Sequence, residues 1–429
     1  MGGGGNTDRI RVGMVGAGFM GRTYSLALRV APGLAWPQVP STAQVRLVEV
    51  DPKAGRSAAE AWGWQELQDD WQAVTRADDI DLVLVLTPND SHAEIAIDAL
   101  RHGKHVLCEK PLSNSLDDAR AMYRAAAGSG RVHQVGFVYR KWPATAFARE
   151  LIESGELGEV VHYRGHFFHD YGLDPAMPAT WRLRKGSSGG GSGADIGSHV
   201  IDMARYLVGE IDGVFARSCT HFTQRPLPEQ PGVSVPVDVD EITDMLIAFD
   251  SGITGTLQTS WLAGGHKMDL GFAVHGTKGS VEFTSEQPTE VRLYKTSDPT
   301  PESGFRVIPI GPRHAGGELF WPVPGMALGF GDGFVIAIRD LLRSIAQQQA
   351  ATPDFLDGLR AQEVVAAAQA SAADLAWHKV ERCLEEGTQG WVLDPRWHED
   401  HQRRPRPGSG WRGHDTRHVR HGAGPRRRR

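Results

Sequence analysis

Residues 10–21 read IRVGMVGAGFMG: a short apolar run, then Gly16-Ala17-Gly18-Phe19-Met20-Gly21, then the apolar-periodic residues Thr23 to Leu28. A strand, a tight glycine turn and a helix account for this order. Gly16 suits the tight turn, Gly18 lets backbone approach a pyrophosphate, and Gly21 lets the helix pack on the strand. The helix N-terminus offers free N–H groups and a partial positive charge to phosphates. With Phe19 and Met20 in the turn, the stretch predicts a dinucleotide site.

Outward from this turn, strands and helices alternate. Val45–Val50 reads as a second strand ending at Asp51-Pro52, and residues 53–65 suit a helix. The intervening 31–44 holds three prolines and cannot be one regular helix. Leu82–Leu86 is continuously apolar, as a parallel strand covered on both faces should be. His92–His102, 104–108, Leu116–Ala127 and Val132–Val138 continue as helix, strand, helix and strand. The expected fold is a parallel, doubly wound α/β sheet over 9–137, after a flexible stretch 1–8. From 138 to 394 the pattern becomes α+β. Helices are expected at Thr145–Ser154 and Gly197–Val208, and antiparallel strands at 159–168, 213–222, 241–262, 268–284 and 289–296. Residues 327–349 and 356–386 read as closing helices.

Composition narrows the function classes. The 429 residues are 40% apolar and 23% charged, ordinary globular usage. Formal charge is −6, yet residues 401–429 hold ten Arg and one Asp. An acidic body with a basic, Pro- and Gly-rich tail over 395–429 predicts a disordered tail, not a nucleic-acid-binding domain. Three cysteines (Cys108, Cys219, Cys383) in no C-x-x-C pair fit a reducing, cytoplasmic setting. No apolar run is long enough for a membrane span or a signal peptide.

Four constellations could carry chemistry. Asp51, ending the second strand, would bind the adenosine ribose and favour NAD over NADP; Glu49 is its rival, and Lys53 and Arg56 leave NADP as an alternative. Thr87-Pro88-Asn89, with His92 opening the next helix, lies beyond the carboxyl end of a strand, where such sheets bind ligands; a plain capped turn would look the same. Glu109-Lys110 ends the strand 104–108, where an ammonium could favour an alkoxide; a surface ion pair is the alternative. Asp195 and His199 stand four apart, neighbours on one helix face. They could be proton acceptor and orienting carboxylate, or a helix cap and a core histidine. No metal-ligand spacing occurs there, so no metal is expected. Residues 186–193, five Gly and three Ser, predict a mobile active-site loop, with a plain surface loop as the alternative.

These pieces resemble the Gfo/Idh/MocA oxidoreductase family from about Arg9 to Ser371. The motifs are VGAGFMG at 15–21, TPNDSHAEIAIDALRHGKHVLCEKPL at 87–112 and DIGSHVIDMARYLVGE at 195–210. WRLRKGSSGGGSG, GTKGSVEF and WPVPG resemble its levoglucosan dehydrogenase-like branch, which oxidises carbon 3 of an anhydro-sugar with NAD. The resemblance implies a Rossmann domain plus a domain with a large open sheet used for homodimer or homotetramer contacts. It implies Lys110, Asp195 and His199 as the active-site trio and a Lys110–Pro111 bond that is often cis. Tyr139, Arg140, Tyr171, Trp181 and Arg182 fall where relatives line the sugar pocket. The sequence departs at Val138, where the branch commonly has Asn, and at His169-Asp170-Tyr171, where relatives often have Gln-Asp-Trp; both bear on substrate identity. The expected activity is oxidation of a secondary hydroxyl of a cyclic sugar, anhydro-sugar or polyol to a ketone with NAD. The alternatives are a redox glycoside hydrolase or lyase that oxidises its sugar transiently, and a non-catalytic cofactor sensor; the retained trio argues against the sensor.

Overall fold

The computed structural model describes residues 9–382, except 36, 37, 229, 321, 322, 324, 325 and 327. The basic tail expected over 395–429, the 1–8 stretch and Cys383 lie outside the described residues.

β1 (Arg9–Val15) leads into the glycine turn and α1 (Phe19–Leu34) leaves it. Gly16 has φ +104°, and a Cβ there would stand 2.6 Å from the Leu86 carbonyl oxygen. At Gly21 a Cβ would stand 2.6 Å from the Gly16 carbonyl oxygen, so its absence lets α1 lie close on the turn. The proline-bearing 31–44 divides between the end of α1, which includes Pro32, and the start of β2 (Ser41–Val48). There follow α2 (Pro52–Trp62), β3 (Glu66–Gln68), α3 (Gln72–Thr75), β4 (Leu82–Val85), α4 (His92–Arg101), β5 (His105–Cys108), α5 (Leu116–Ser129) and β6 (His133–Val135). Every pairing is parallel, in the order β3-β2-β1-β4-β5-β6. All four β4 side chains are fully buried, which explains their unbroken apolar run. The order reverses between β1 and β4, and a crevice opens at the carboxyl ends of such strands.

The second sheet has nine strands. α6 (Pro143–Glu153), β7 (Val160–Phe168), α7 (Lys185–Ser188), α8 (Ser192–Asp195) and α9 (Gly197–Leu207) precede β8 (Ile211–Cys219). A small β9 (Gln224–Pro226) and β10 (Ser234–Pro236) pair with each other. β11 (Ile242–Phe249), β12 (Thr254–Ser260), β13 (Asp269–Gly276), β14 (Gly279–Thr284), β15 (Glu290–Lys295) and β16 (Arg306–Pro309) complete a mostly antiparallel sheet with β17 (His378–Lys379) at its edge. Among the described residues of this sheet, only β7 and β12 pair in parallel. Tyr163, Gly165 and Phe167 of β7 turn inward toward α9, while Arg164 and His166 alternate outward. α10 (Phe330–Gln347) packs on α1, and α11 (Phe355–Asp374) packs on both α5 and β8, so the closing helices join the two sheets.

Three expectations are corrected. The strand expected over Val132–Val138 stops at Val135, and Val138–Lys141 is a 3₁₀ turn. The helix expected over 356–386 ends at Asp374: Leu375 takes a left-handed φ of +56°, and β17 then pairs with β8. Residues 186–193 are not a loose loop; α7 and α8 occupy much of the segment, and Ser188 and Gly190 to Ser192 are buried. The partners that hold it are distant in sequence and are described below.

Candidate active site

The cofactor side begins at the glycine turn. A Cβ on Gly18 would meet nothing within 4 Å, so the turn presents an open cradle. No side chain caps α1, and its first turn carries no acid, leaving its N–H groups and positive dipole end for an anion. These features fit a dinucleotide pyrophosphate. The two acids expected near the ribose differ in their contacts. Asp51 is the N-cap of α2, its Oδ1 accepting from Lys53 N at 2.9 Å and Ala54 N at 3.2 Å. Glu49, first after β2, turns to the glycine loop: its Oε2 accepts from Ala17 N at 3.0 Å and its Oε1 from Asp51 N at 3.1 Å. Both carboxylates therefore stand just beyond the carboxyl end of β2.

Next to the crevice, His92 is fully buried between two carbonyls, Nε2 2.9 Å from Thr87 O and Nδ1 3.1 Å from Pro111 O. It ties the Thr87–Asn89 loop to the Glu109–Pro111 loop instead of facing a ligand. Burial holds its imidazole below the usual range. Asn89 is also committed, donating to Ser188 O at 2.8 Å. Glu109 is buried and accepts from Tyr24 Oη at 2.9 Å and from Lys110 N at 3.1 Å. Burial pushes its carboxyl up against the pull of Lys110. It fixes the backbone from which Lys110 projects, and the Lys110–Pro111 bond is cis.

Lys110 meets Asp195 across the two sheets. Its Nζ donates to Asp195 Oδ1 at 2.6 Å and to Asp195 O at 3.1 Å. Burial would raise the Asp195 carboxyl, but Lys110, Arg182 and His169 together hold it below its ordinary value. Asp195 ends α8 and His199 lies in α9, with Ile196 as the joint, so the pair sits on two abutting helices and not on one. The His199 ring is enclosed by Tyr139 (centroids 4.9 Å), Phe137 (5.8 Å) and Phe167 (5.9 Å). Burial, reinforced by the Lys110 charge, holds this imidazole well below its usual range, so it is neutral near pH 7. Among the described residues no group hydrogen-bonds its ring nitrogens. A neutral imidazole, an ammonium and a carboxylate thus converge, which suits removal of a proton from a hydroxyl beside a stabilised alkoxide.

The expected sugar-lining residues divide. Tyr171 is beside the site: its buried hydroxyl has no partner, and after burial the Asp195 charge is the largest influence raising its pKa. Arg182 adds a charge that Asp195 feels, and its guanidinium lies 4.6 Å over the Trp181 ring. Tyr139 is a buried wall of the imidazole. Arg140 is corrected: its guanidinium grips Asp202 (2.5 and 2.8 Å) and Asp357 (3.1 Å), bracing α9 against α11 beneath the site.

Several supporting residues gave no signal in the sequence. Asp240 accepts from Gly191 N (2.9 Å), Gly193 N (2.8 Å), Ser192 Oγ (3.0 Å) and Thr243 Oγ1 (2.8 Å), and so shapes the segment leading to Asp195. Fully buried Arg225 pairs with Glu241 at 2.8 Å and donates to Gly172 O and Asp174 O, holding the turn that carries Tyr171. Apart from Thr243, their partners lie at least 16 residues away, which no local pattern announces.

Comparisons with known proteins agree with this arrangement. Residues 10–137 match the model of the oxidoreductase family with an NAD-binding Rossmann fold, and residues 145–282 match the GFO/IDH/MocA C-terminal domain. The chain is 37% identical to levoglucosan dehydrogenase of Pseudarthrobacter phenanthrenivorans, covering 86% of this chain and 98% of that protein. It is 32% identical to scyllo-inositol 2-dehydrogenase (NAD(+)) of Bacillus subtilis, covering 70% of this chain and 80% of that protein. The solved structure of levoglucosan dehydrogenase in complex with NADH and levoglucosan superposes with a TM-score of 0.85 at 37% identity, covering 87% of this chain and all of that one. A parallel sheet with an open glycine cradle, joined to a large mixed sheet, and these matches over most of the length lead to one assignment: the chain belongs to the Gfo/Idh/MocA family of oxidoreductases and carries its NAD-binding Rossmann fold.

Proposed function

We propose that the chain oxidises a secondary hydroxyl of a cyclic sugar, anhydro-sugar or polyol to a ketone, with domain boundaries near 137/138 and 394/395. One observation carries this: Lys110 Nζ stands 2.6 Å from Asp195 Oδ1 while the neighbouring His199, walled by Tyr139, Phe137 and Phe167, has ring nitrogens that no group among the described residues hydrogen-bonds. NAD, when bound, supplies the hydride acceptor. His199 takes the hydroxyl proton, a role open to it because its burial keeps it unprotonated. Lys110 favours the negative charge developing on the same oxygen. Asp195 holds Lys110 and a neighbouring substrate hydroxyl, and the orphaned Tyr171 hydroxyl supplies another hydrogen bond. Glu49 would take the ribose hydroxyls, and its charge disfavours a 2′-phosphate.

An anhydro-sugar has support from the similarity to levoglucosan dehydrogenase, and a polyol from the inositol dehydrogenase. The experiment is a screen of levoglucosan, other anhydro-sugars, simple sugars and inositols with NAD and with NADP, followed by nicotinamide absorbance. We expect net NADH formation with at least one cyclic polyhydroxy compound and a preference for NAD. Sugar release from glycosides without net NADH would replace this reading with redox hydrolysis.

A further inference from the structure

A second cluster of chemistry-bearing side chains lies on the outward face of the nine-stranded sheet, formed by none of the residues assigned above. His166 comes from β7, His266 from the loop before β13, Asp269 from the first position of β13, and Glu286 from just beyond β14. His266 Nδ1 is 2.8 Å from Asp269 Oδ2 and 3.6 Å from Glu286 Oε2. His166 Nε2 is 3.1 Å from the same Asp269 Oδ2. The donor atoms of His266, Asp269 and Glu286 all lie within 4.8 Å of one another.

Hydrogen bonding alone does not explain the geometry. His266 Nδ1 is buried, yet it makes no hydrogen bond despite its 2.8 Å separation from a carboxylate oxygen, because the two are not aligned along an N–H direction. Atoms that converge on a common point behave this way. Around a tetrahedral Zn²⁺ with bonds near 2.1 Å, neighbouring donors stand about 3.4 Å apart, which the observed separations bracket.

The surrounding contacts orient the donors as metal sites require. Asp269 Oδ1 accepts from Thr284 Oγ1 at 2.5 Å, leaving Oδ2 for the cluster. Glu286 Oε1 accepts from Lys267 N at 3.0 Å, leaving Oε2 free to face His266. Opposite His166 in the β7–β13 register stands Gly271, where any Cβ would collide with the imidazole; the glycine makes room for the ring to lean toward Asp269.

We propose that His266, Asp269 and Glu286 form a structural binding site for one divalent transition-metal ion, with Zn²⁺ held by one imidazole and two carboxylates and a solvent molecule completing the set, while His166 steadies Asp269 through its hydrogen bond. The ion would pin the 262–268 loop to the start of β13 and the end of β14. That loop also holds Asp170, through Gly265 N at 3.3 Å and Lys267 Nζ at 2.5 Å, one residue from Tyr171. The metal would thereby stiffen the rim of the substrate site without entering the reaction.

The test uses the full chain, freed of metal by chelation, titrated with Zn²⁺ by calorimetry and with Co²⁺ by visible absorption. Five histidines occur between 398 and 421, so the readout is the difference between wild type, His266→Ala and Glu286→Gln. We expect wild type to take up one equivalent that His266→Ala loses and Glu286→Gln binds at least tenfold more weakly. A four-coordinate Co²⁺ spectrum and a Zn²⁺-dependent rise in melting temperature should disappear with the same substitutions. Glu286 is exposed, so its variant remains informative should His266→Ala fold poorly. Equal uptake by all three proteins, or no uptake by any, would overturn the proposal.

Discussion

Two glycine-rich segments, 16–21 and 186–193, look alike in composition and are built on opposite logic. In the first, the glycines shape a single turn between neighbouring elements. Gly16 needs its positive φ, Gly21 lies against the turn, and Gly18 borders open space. A strand before and a helix after suffice to interpret it. In the second, the demands come from far along the chain. Asp240 holds Gly191, Ser192 and Gly193, Asn89 holds Ser188, Asn114 holds Gly186, and Gln369 holds Gly189. Glycine in the first serves a ligand; in the second it lets foreign backbone pack against the segment that delivers Asp195.

That contrast breaks most sharply by adding one methyl to each. At Gly191 a Cβ would overlap the Asp240 backbone. Gly191→Ala should cost about 3 kcal/mol or more, seen as a lower denaturation midpoint, with turnover reduced as Asp195 shifts. Gly18→Ala, with its Cβ in open space, should melt like wild type but bind NADH about tenfold more weakly, or about 1.4 kcal/mol, by fluorescence titration. Equal melting losses in both variants would erase the distinction. Asp240→Asn tests the long-range half more gently: losing a charged acceptor should cost about 2 kcal/mol, again by denaturant melting.

The acids after β2 sharpen the local half. Glu49→Gln should weaken NAD binding and narrow the preference over NADP, with little change in stability. Asp51→Ala should cost about 1 kcal/mol through the lost cap and leave NAD binding intact. The smallest effect concerns pH. His105 is held to about 4 by burial, aided by the Arg131 charge, and its Nδ1 accepts from Val132 N at 2.9 Å. Below pH 6.5 the unfolded chain binds a proton that the folded chain refuses. Stability therefore falls as pH drops from 6.5 toward 4, by about 1 kcal/mol between 6.5 and 5.5. His105→Gln should flatten that slope in melts across the range.

Much of this architecture can be read from the chain because its signals are local. The apolar run of β4 and the strand-turn-helix around Gly16 need no distant partner. Long-range effects hid the rest. Glu49 and Asp51 are two residues apart and chemically alike; only the start of α2 at Pro52 makes Asp51 a cap. Arg140 sits where a sugar ligand was expected, but Asp202 and Asp357 claim it. Burial against that ion pair raises the Asp202 carboxyl to about 6. A left-handed Leu375 ends α11 where composition would have carried the helix on. Lys110 and Asp195, 85 residues apart, were expected to meet because of the family resemblance, and their 2.6 Å contact is a property of the folded chain alone.

The convergence of ammonium, carboxylate and imidazole is the central claim, and Lys110→Ala tests it most directly. With a substrate found in the screen, hydride transfer should be followed by nicotinamide absorbance, alongside an NADH fluorescence titration of the same variant. The expected result is a loss of turnover of about 10³-fold with NADH affinity within a few-fold of wild type. Turnover within a few-fold of wild type would contradict the account.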